Sequence, residues 1–171
     1  MAGSQRGTAT SAVVDGLLGT SRALVAMSAQ SVAQHDPDVT LVQFRSLVVL
    51  ASRGPQRTAD LASTLGIAPS TVTRMCDRLV RKGLVRRFRR AADRRATWVA
   101  LTEAGQNLVG EVMRNRRKAI SRLVRAMQIE DPEAFAGMLN AFVEAAGEVP
   151  ESRWWQQWRA AATSPPDAVT A

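Results

Sequence analysis

The chain has 171 residues, 46% of them hydrophobic, and carries 23 Lys and Arg against 15 Asp and Glu, a formal charge of +8. That length buries a core without help from metal or disulfide, and the single cysteine, Cys76, excludes an internal disulfide. His35 is the only histidine, which excludes a multi-histidine metal site, and with no phosphate-binding glycine loop, cysteine pair or close carboxylate pair, neither an enzyme nor a cofactor is expected.

From about Ala9 to Gln34 the residues Val13, Val14, Leu17, Leu18, Leu24, Val25 and Met27 make an amphipathic helical pattern, interrupted by Gly16 and Gly19 and closed by His35-Asp-Pro. His35 is expected in the loop beside that helix end. Thr40 and Gln43 form a capping box that starts a second helix through Leu47, Val48 and Leu50 to about Arg53. A short helix follows from Thr58, its expected N-cap, to Gly66, with Leu61, Ala62 and Leu65 inward, and Gly66-Ile67 makes a tight turn. The next helix opens at Pro69. Its stripe of Val72, Met75, Cys76, Leu79 and Val80 must face a core, so Ser70, Thr71, Thr73, Arg74, Asp77, Arg78 and Arg81 lie on the other face. Gly83 ends it. Residues 84–88 and 97–101 read as strands joined by residues 89–96. One long helix from Glu103 to about Met127 and another from Pro132 to Ala146 follow, and the chain from about Thr163 onward has the composition of a disordered tail.

A helix, a tight turn, a second helix with short hydroxyls at its start and a basic hairpin together describe a winged helix-turn-helix, an arrangement suited to double-stranded DNA. Short hydroxyls approach base edges and phosphates, and arginines one and two turns later reach the flanking backbone. Charge points the same way: residues 41–101 hold thirteen basic and three acidic side chains, a net +10, and the remainder is near neutral. An anionic membrane would attract the same charge, but no helix pairs a basic face with an aromatic apolar one. No run is expected to approach a membrane span, and no export signal is seen, so a cytoplasmic protein without a membrane partner is expected. The fold class expected is mainly α with a small β-hairpin: a winged helix-turn-helix over residues 40–102, terminal helical segments over 1–39 and 103–160, and a tail over 161–171. The terminal helices have too little of the small winged unit to pack against. Trp154, Trp155 and Trp158 are expected to anchor the C-terminal segment, either on a partner subunit or within their own chain.

The segment from about Leu41 to Gly105, with its GPQRTADLASTLGIAPSTVTRMCDRLVRKGLVRR, Asp93-x-Arg95 and Leu101-Thr102-x-x-Gly105 motifs, resembles the winged helix-turn-helix of the MarR family of bacterial transcription regulators. The resemblance implies a homodimer of intertwined terminal helices that presents two recognition helices to a pseudo-palindromic operator, with Pro69, Ser70, Thr71, Thr73, Arg74 and Arg78 at the DNA. In the wing it implies Arg95 in a narrow minor groove, Asp93 holding its guanidinium, and Arg94 contributing charge. Two positions depart from the family pattern: Ala91 stands where proline is usual, and Ala68 replaces a hydroxyl cap. The resemblance further implies a repressor released by a small lipophilic or phenolic effector, with Arg22, Met27, His35, Arg45 and Ser46 as candidates to line its cleft. An effector-independent, architectural DNA-binding protein is the alternative. Peroxide sensors of the family use a cysteine near the N-terminus with tyrosine partners; this chain has no tyrosine, and Cys76 lies on an apolar stripe.

Overall fold

The computed structural model describes residues 2–90 and 93–163, with backbone only at residues 2–7, 93, 94 and 161–163. In chain order the elements are α1 (Ala2–His35), α2 (Leu41–Arg53), β1 (Gln56–Arg57), α3 (Thr58–Leu65), α4 (Pro69–Arg81), β2 (Val85–Arg90), β3 (Asp93–Leu101), α5 (Glu103–Ala126), α6 (Pro132–Ala145) and α7 (Glu151–Thr163). Most of the expected tail, residues 164–171, and Ala91 lie outside the described residues, while α7 continues three residues past the expected start of that tail.

Helix α2 is the centre of the fold. Its capping box forms as the sequence predicts: Gln43 N donates to Thr40 Oγ1 at 3.3 Å, and Thr40 N donates to Gln43 Oε1 at 2.8 Å, so two otherwise orphaned amides are satisfied. From Ser46 to Ala51 every residue is buried, because α1, α3, α5, α7 and β3 all pack on this one helix. Fully burying each of Leu47, Val48 and Leu50 contributes about 1.5–3 kcal/mol. Ser46 survives in the core because its hydroxyl donates to Gln43 O at 2.6 Å.

The sheet has three strands in the order β1-β3-β2, all antiparallel, rather than the two of a simple hairpin. The added strand is two residues long, too short to show alternation, and pairs Gln56 with Val99 and Arg57 with Trp98. This pairing also corrects the expected cap of α3. Arg57 is held extended (φ −68°, ψ 146°) by the sheet, so it takes the N-cap position without a side-chain bond and Thr58 becomes the first helical residue. Strands β2 and β3 run nearer the hairpin tip than expected, to Arg90 and from Asp93, with a register irregularity between Phe88 and Arg90. Backbone pairing and stacked side chains carry them past the end of the apolar alternation.

Both turns expected around α4 form. Gly66 adopts the left-handed conformation (φ 64°, ψ 31°) and Ile67 N donates to Ala62 O. At the far end Gly83 has φ 69°, with Gly83 N bonded to Val80 O and Leu84 N to Leu79 O, which returns buried Leu84 to the core.

The terminal helices divide into packed and open halves. Helix α1 runs unbroken through Gly16 and Gly19 and includes His35 in its last turn, not in a loop. Its end is fixed by buried Ser31 and Val32, where α1 packs on α5, yet Val13, Val14, Leu18, Leu24 and Val25 are exposed. Over Thr8–His35 this helix is long and apolar enough to cross a membrane, against the expectation that no run would be. Asp15 and Arg22 interrupt that stretch, and each is costly in hydrocarbon. Helix α5 buries Leu108, Val109, Val112 and Met113 and exposes Leu123 and Val124. Helix α6, capped by Asp131 through Ala134 N at 2.9 Å, has no buried residue and exposes Met138, Leu139 and Phe142. Helix α7 lies on α2, and its tryptophans settle within their own chain: Trp154 is 6% exposed, with Trp155 and Trp158 at 5.0 and 5.2 Å between ring centroids. Trp155 Nε1 donates to Glu151 at 2.8 Å.

Candidate nucleic-acid interface

Helix α4 presents the face that its periodicity predicts. Val72, Met75, Cys76 and Leu79 are buried, and Pro69, Ser70, Thr71, Thr73, Arg74 and Arg78 are all exposed; Val80, expected on the buried stripe, is instead exposed in the last turn, where the chain leaves the helix at Gly83. Ala68 makes no side-chain cap bond, and Pro69 occupies the first turn, where the missing amide hydrogen costs nothing. Ser70 and Thr71 therefore stand at a helix start whose amides favour an anion. The hydroxyl of Thr73 is already engaged, donating to Pro69 O at 3.0 Å, so it offers an acceptor and a methyl rather than a donor.

The wing is joined to this helix by a residue that periodicity does not reveal. From β2, Arg87 Nη1 donates to Asp77 Oδ1 at 2.5 Å and Nη2 to Thr73 O at 2.8 Å. The acid on the exposed face of α4 is thereby neutralised within the protein. The opposite face of the hairpin is clad by alternating aromatics and arginines: Phe88 stacks on its cross-strand partner Trp98 at 6.4 Å, the Arg86 guanidinium lies 4.9 Å from the Phe88 ring, and those of Arg57 and Arg90 lie 5.4 and 3.8 Å from Trp98. Such stacks stiffen a ribbon that would otherwise be held only by its backbone ladder. The alternation Arg86, Phe88, Arg90 is visible in the sequence, but the pairing with Trp98 needs the register. Arg95 is exposed on β3; the side chains of Asp93 and Arg94 lie outside the described residues.

The five residues expected at an effector cleft are not brought together. Arg22 is exposed, Arg45 forms an ion pair with Glu148, and Ser46 is sealed in the core. Met27 lines a polar groove of about 300 Å³ between α1 and α5, with Gln34, Asn115, Lys118 and Arg122 among its walls. His35 reaches the same wall: Nδ1 lies 2.8 Å from Ser31 O, and Nε2 lies 3.2 Å from Asn115 Nδ2. Cys76 is fully buried, and that burial pushes its thiol above the ordinary value, with Arg87 acting in the opposite sense. Among the described residues no group of three His, Cys, Asp or Glu is placed to hold a metal ion.

Residues 39–97 match the model of the MarR family. The crystal structure of RV1404 from Mycobacterium tuberculosis is 42% identical, superposes with a TM-score of 0.77, and is matched over 83% of this chain and 97% of that one. The HTH-type transcriptional repressor MdtR of Bacillus subtilis is 30% identical over 108 residues, 63% of this chain and 70% of the relative. The HTH-type transcriptional repressor NicR of Pseudomonas putida is 30% identical over 110 residues, 64% and 70% of the respective chains.

Proposed function

The chain belongs to the MarR family of DNA-binding transcription regulators, which are not enzymes, and from that premise we propose that it is a homodimeric repressor of a pseudo-palindromic operator. One observation carries this reading. A helix that exposes Ser70, Thr71 and Arg74 at its start is locked by Arg87 to a wing that presents Arg95, so helix and wing meet DNA as one rigid unit. Residues 40–102 are this unit. Ser70 and Thr71 approach phosphates at the rim of the major groove, Arg74 reaches a base edge or the backbone, and Arg78 contacts the flanking strand. Arg95 enters the adjacent minor groove with Asp93 holding its guanidinium, and Arg94 adds charge. Residues 1–39 and 103–160 form the dimerisation region, because the exposed apolar faces of α1, α5 and α6 cover one another across a two-fold axis. Two recognition helices then face half-sites about one helical turn apart, ~34 Å. The relatives MdtR and NicR are named repressors, and repression is carried over from them. For release by a small lipophilic or phenolic ligand, the groove beside Met27 and His35 supports an anionic one of the phenolic kind, since its walls are polar, Lys118 and Arg122 supply positive charge and no acid lines it.

Fluorescence anisotropy on a palindrome selected from random DNA tests the reading. Wild-type protein should bind the selected site and not its scrambled version, and Arg74→Ala should weaken that binding by ~1–3 kcal/mol while sedimentation still reports a dimer. Equal affinity for both DNAs, or an unchanged Arg74→Ala variant, refutes it.

A further inference from the structure

Lys82 follows the last residue of α4 within the most basic stretch of the chain, where charge counting would assign it to a phosphate. Its actual partners are acids from a distant part of the sequence. Lys82 Nζ lies 2.9 and 3.1 Å from the two carboxylate oxygens of Asp36, and 3.6 Å from Asp38 Oδ2. Lys82 and Asp36 are both about three-quarters shielded, with side chains 27% and 24% exposed, whereas Asp38 is 83% exposed. Asp36 is therefore the partner that matters.

The carboxylate of Asp36 is rigidly mounted. Asp36 N donates to Val32 O at 2.9 Å, Val39 N donates to Asp36 O at 3.1 Å, and Asp38 N donates to Asp36 Oδ1 at 3.1 Å. Val32 and Val39 on either side are buried, and the neighbouring His35 touches Asn115 of α5. The turn between α1 and α2 thus belongs to the frame built by α1 and α5. On the other side, Lys82 N donates to Arg78 O at 3.1 Å, so the lysine backbone moves with α4. Lys82 is also remote from the end of α4 that meets DNA, since twelve residues at 1.5 Å each place it about 18 Å along the axis from Ser70.

We propose that Lys82 is a positioning residue: by clasping Asp36 it ties the far end of the recognition helix to the base of α1, and so fixes the spacing between the two recognition helices of the dimer. This rests on the dimeric operator-binding reading above. A tie and a phosphate contact differ in what Asp36→Asn should do. The amide keeps an oxygen for Asp38 N but removes the charge. If Lys82 binds phosphate, freeing it from Asp36 strengthens DNA binding and Lys82→Met weakens it; if Lys82 is a tie, both variants have the same defect.

The experiment measures binding of full-length wild type, Lys82→Met, Lys82→Arg and Asp36→Asn to the selected operator and to versions with the half-site spacing changed by one and two base pairs, each across a salt series. Thermal melts confirm that each variant is folded. Lys82→Met and Asp36→Asn should both flatten the preference for the native spacing by about two- to fivefold, the range of a partly exposed ion pair, and Lys82→Arg should retain it. The log–log salt slope should equal that of wild type in all variants. Loss of about 0.9 from the slope in Lys82→Met with spacing preference intact would make Lys82 a phosphate contact and overturn the proposal. Opposite effects of Lys82→Met and Asp36→Asn, or a wild-type spacing preference in either, would overturn it as well. Wild-type protein that binds no two-half-site DNA would overturn the operator reading and this tie with it.

Discussion

Asp77 places a negative charge on the exposed face of α4, the face proposed to meet DNA, and Arg87 cancels it in place while also holding the carbonyl of Thr73. The arginines of the wing are consequently not equivalent. Arg87 serves the protein, Arg86 and Arg90 lie against aromatic rings, and Arg95 is exposed. A guanidinium inserted in a minor groove depends on the groove's potential, whereas one in the major groove depends on the base edges it meets. Arg95→Ala should therefore lose affinity mainly for operators with A·T-rich flanks, and Arg74→Ala should lose it whatever the flank. Asp93→Ala should reproduce part of the Arg95 effect, and Arg94→Ala should cost less and be insensitive to flank. Titrating the four variants on A·T-rich and G·C-rich operators at one salt concentration decides this; flank sensitivity in Arg94→Ala with none in Arg95→Ala would reassign the wing contact. The exposure of Arg74 was legible in the sequence because a 3.6-residue stripe of four buried side chains leaves it one face to occupy. The grip of Arg87 was not, since it depends on the register of β2 against β3 and on how that sheet crosses α4.

Where the exit from the wing turns into α5, two elements pass so closely that side chains are excluded. A Cβ placed on Gly105 would lie 2.0 Å from the carbonyl oxygen of Leu84. That carbonyl is not free to swing aside, because it accepts Thr102 N at 3.1 Å, and the Thr102 hydroxyl in turn spans Gly83 O at 2.5 Å and Gly105 N at 3.1 Å. Gly105→Ala should accordingly cost ~1–3 kcal/mol, read as a lower urea midpoint at unchanged slope. A midpoint equal to wild type would mean the junction gives way more readily than its hydrogen bonds suggest. The motif Leu101-Thr102-x-x-Gly105 was readable as a signature, but its physical reason, a backbone passing over a backbone, lies in how the start of α5 crosses Leu84. The same division holds elsewhere. Long periodic helices and both glycine turns could be read directly, since 3.6-residue stripes and left-handed glycines are local properties. Strand β1, the cap of α3 and the packing of α7 on α2 could not, because each is decided by a partner far along the chain.

At the scale of the molecule, the apolar side chains fall into two populations. One fills the space around α2; the other, including Val13, Leu18, Val25, Leu123, Met138 and Phe142, faces outward along α1, α5 and α6. Helix α6 shows the contrast most clearly, since it has a capped start and an apolar face but no buried residue of its own. An isolated helix of 14 residues is marginal in water, so α6 has little reason to persist on the strength of its own chain. On the two-chain reading its stability is borrowed from a second molecule, and unfolding becomes a dissociation governed by mass action. Each tenfold dilution then removes about 1.4 kcal/mol from the folded state, and the melting midpoint should fall by about 2–4 °C per decade of protein concentration. A midpoint that ignores concentration would mean the outward faces meet nothing. If it moves, the cell's own copy number of this regulator sets how much of it is folded, and scarcity becomes a form of instability.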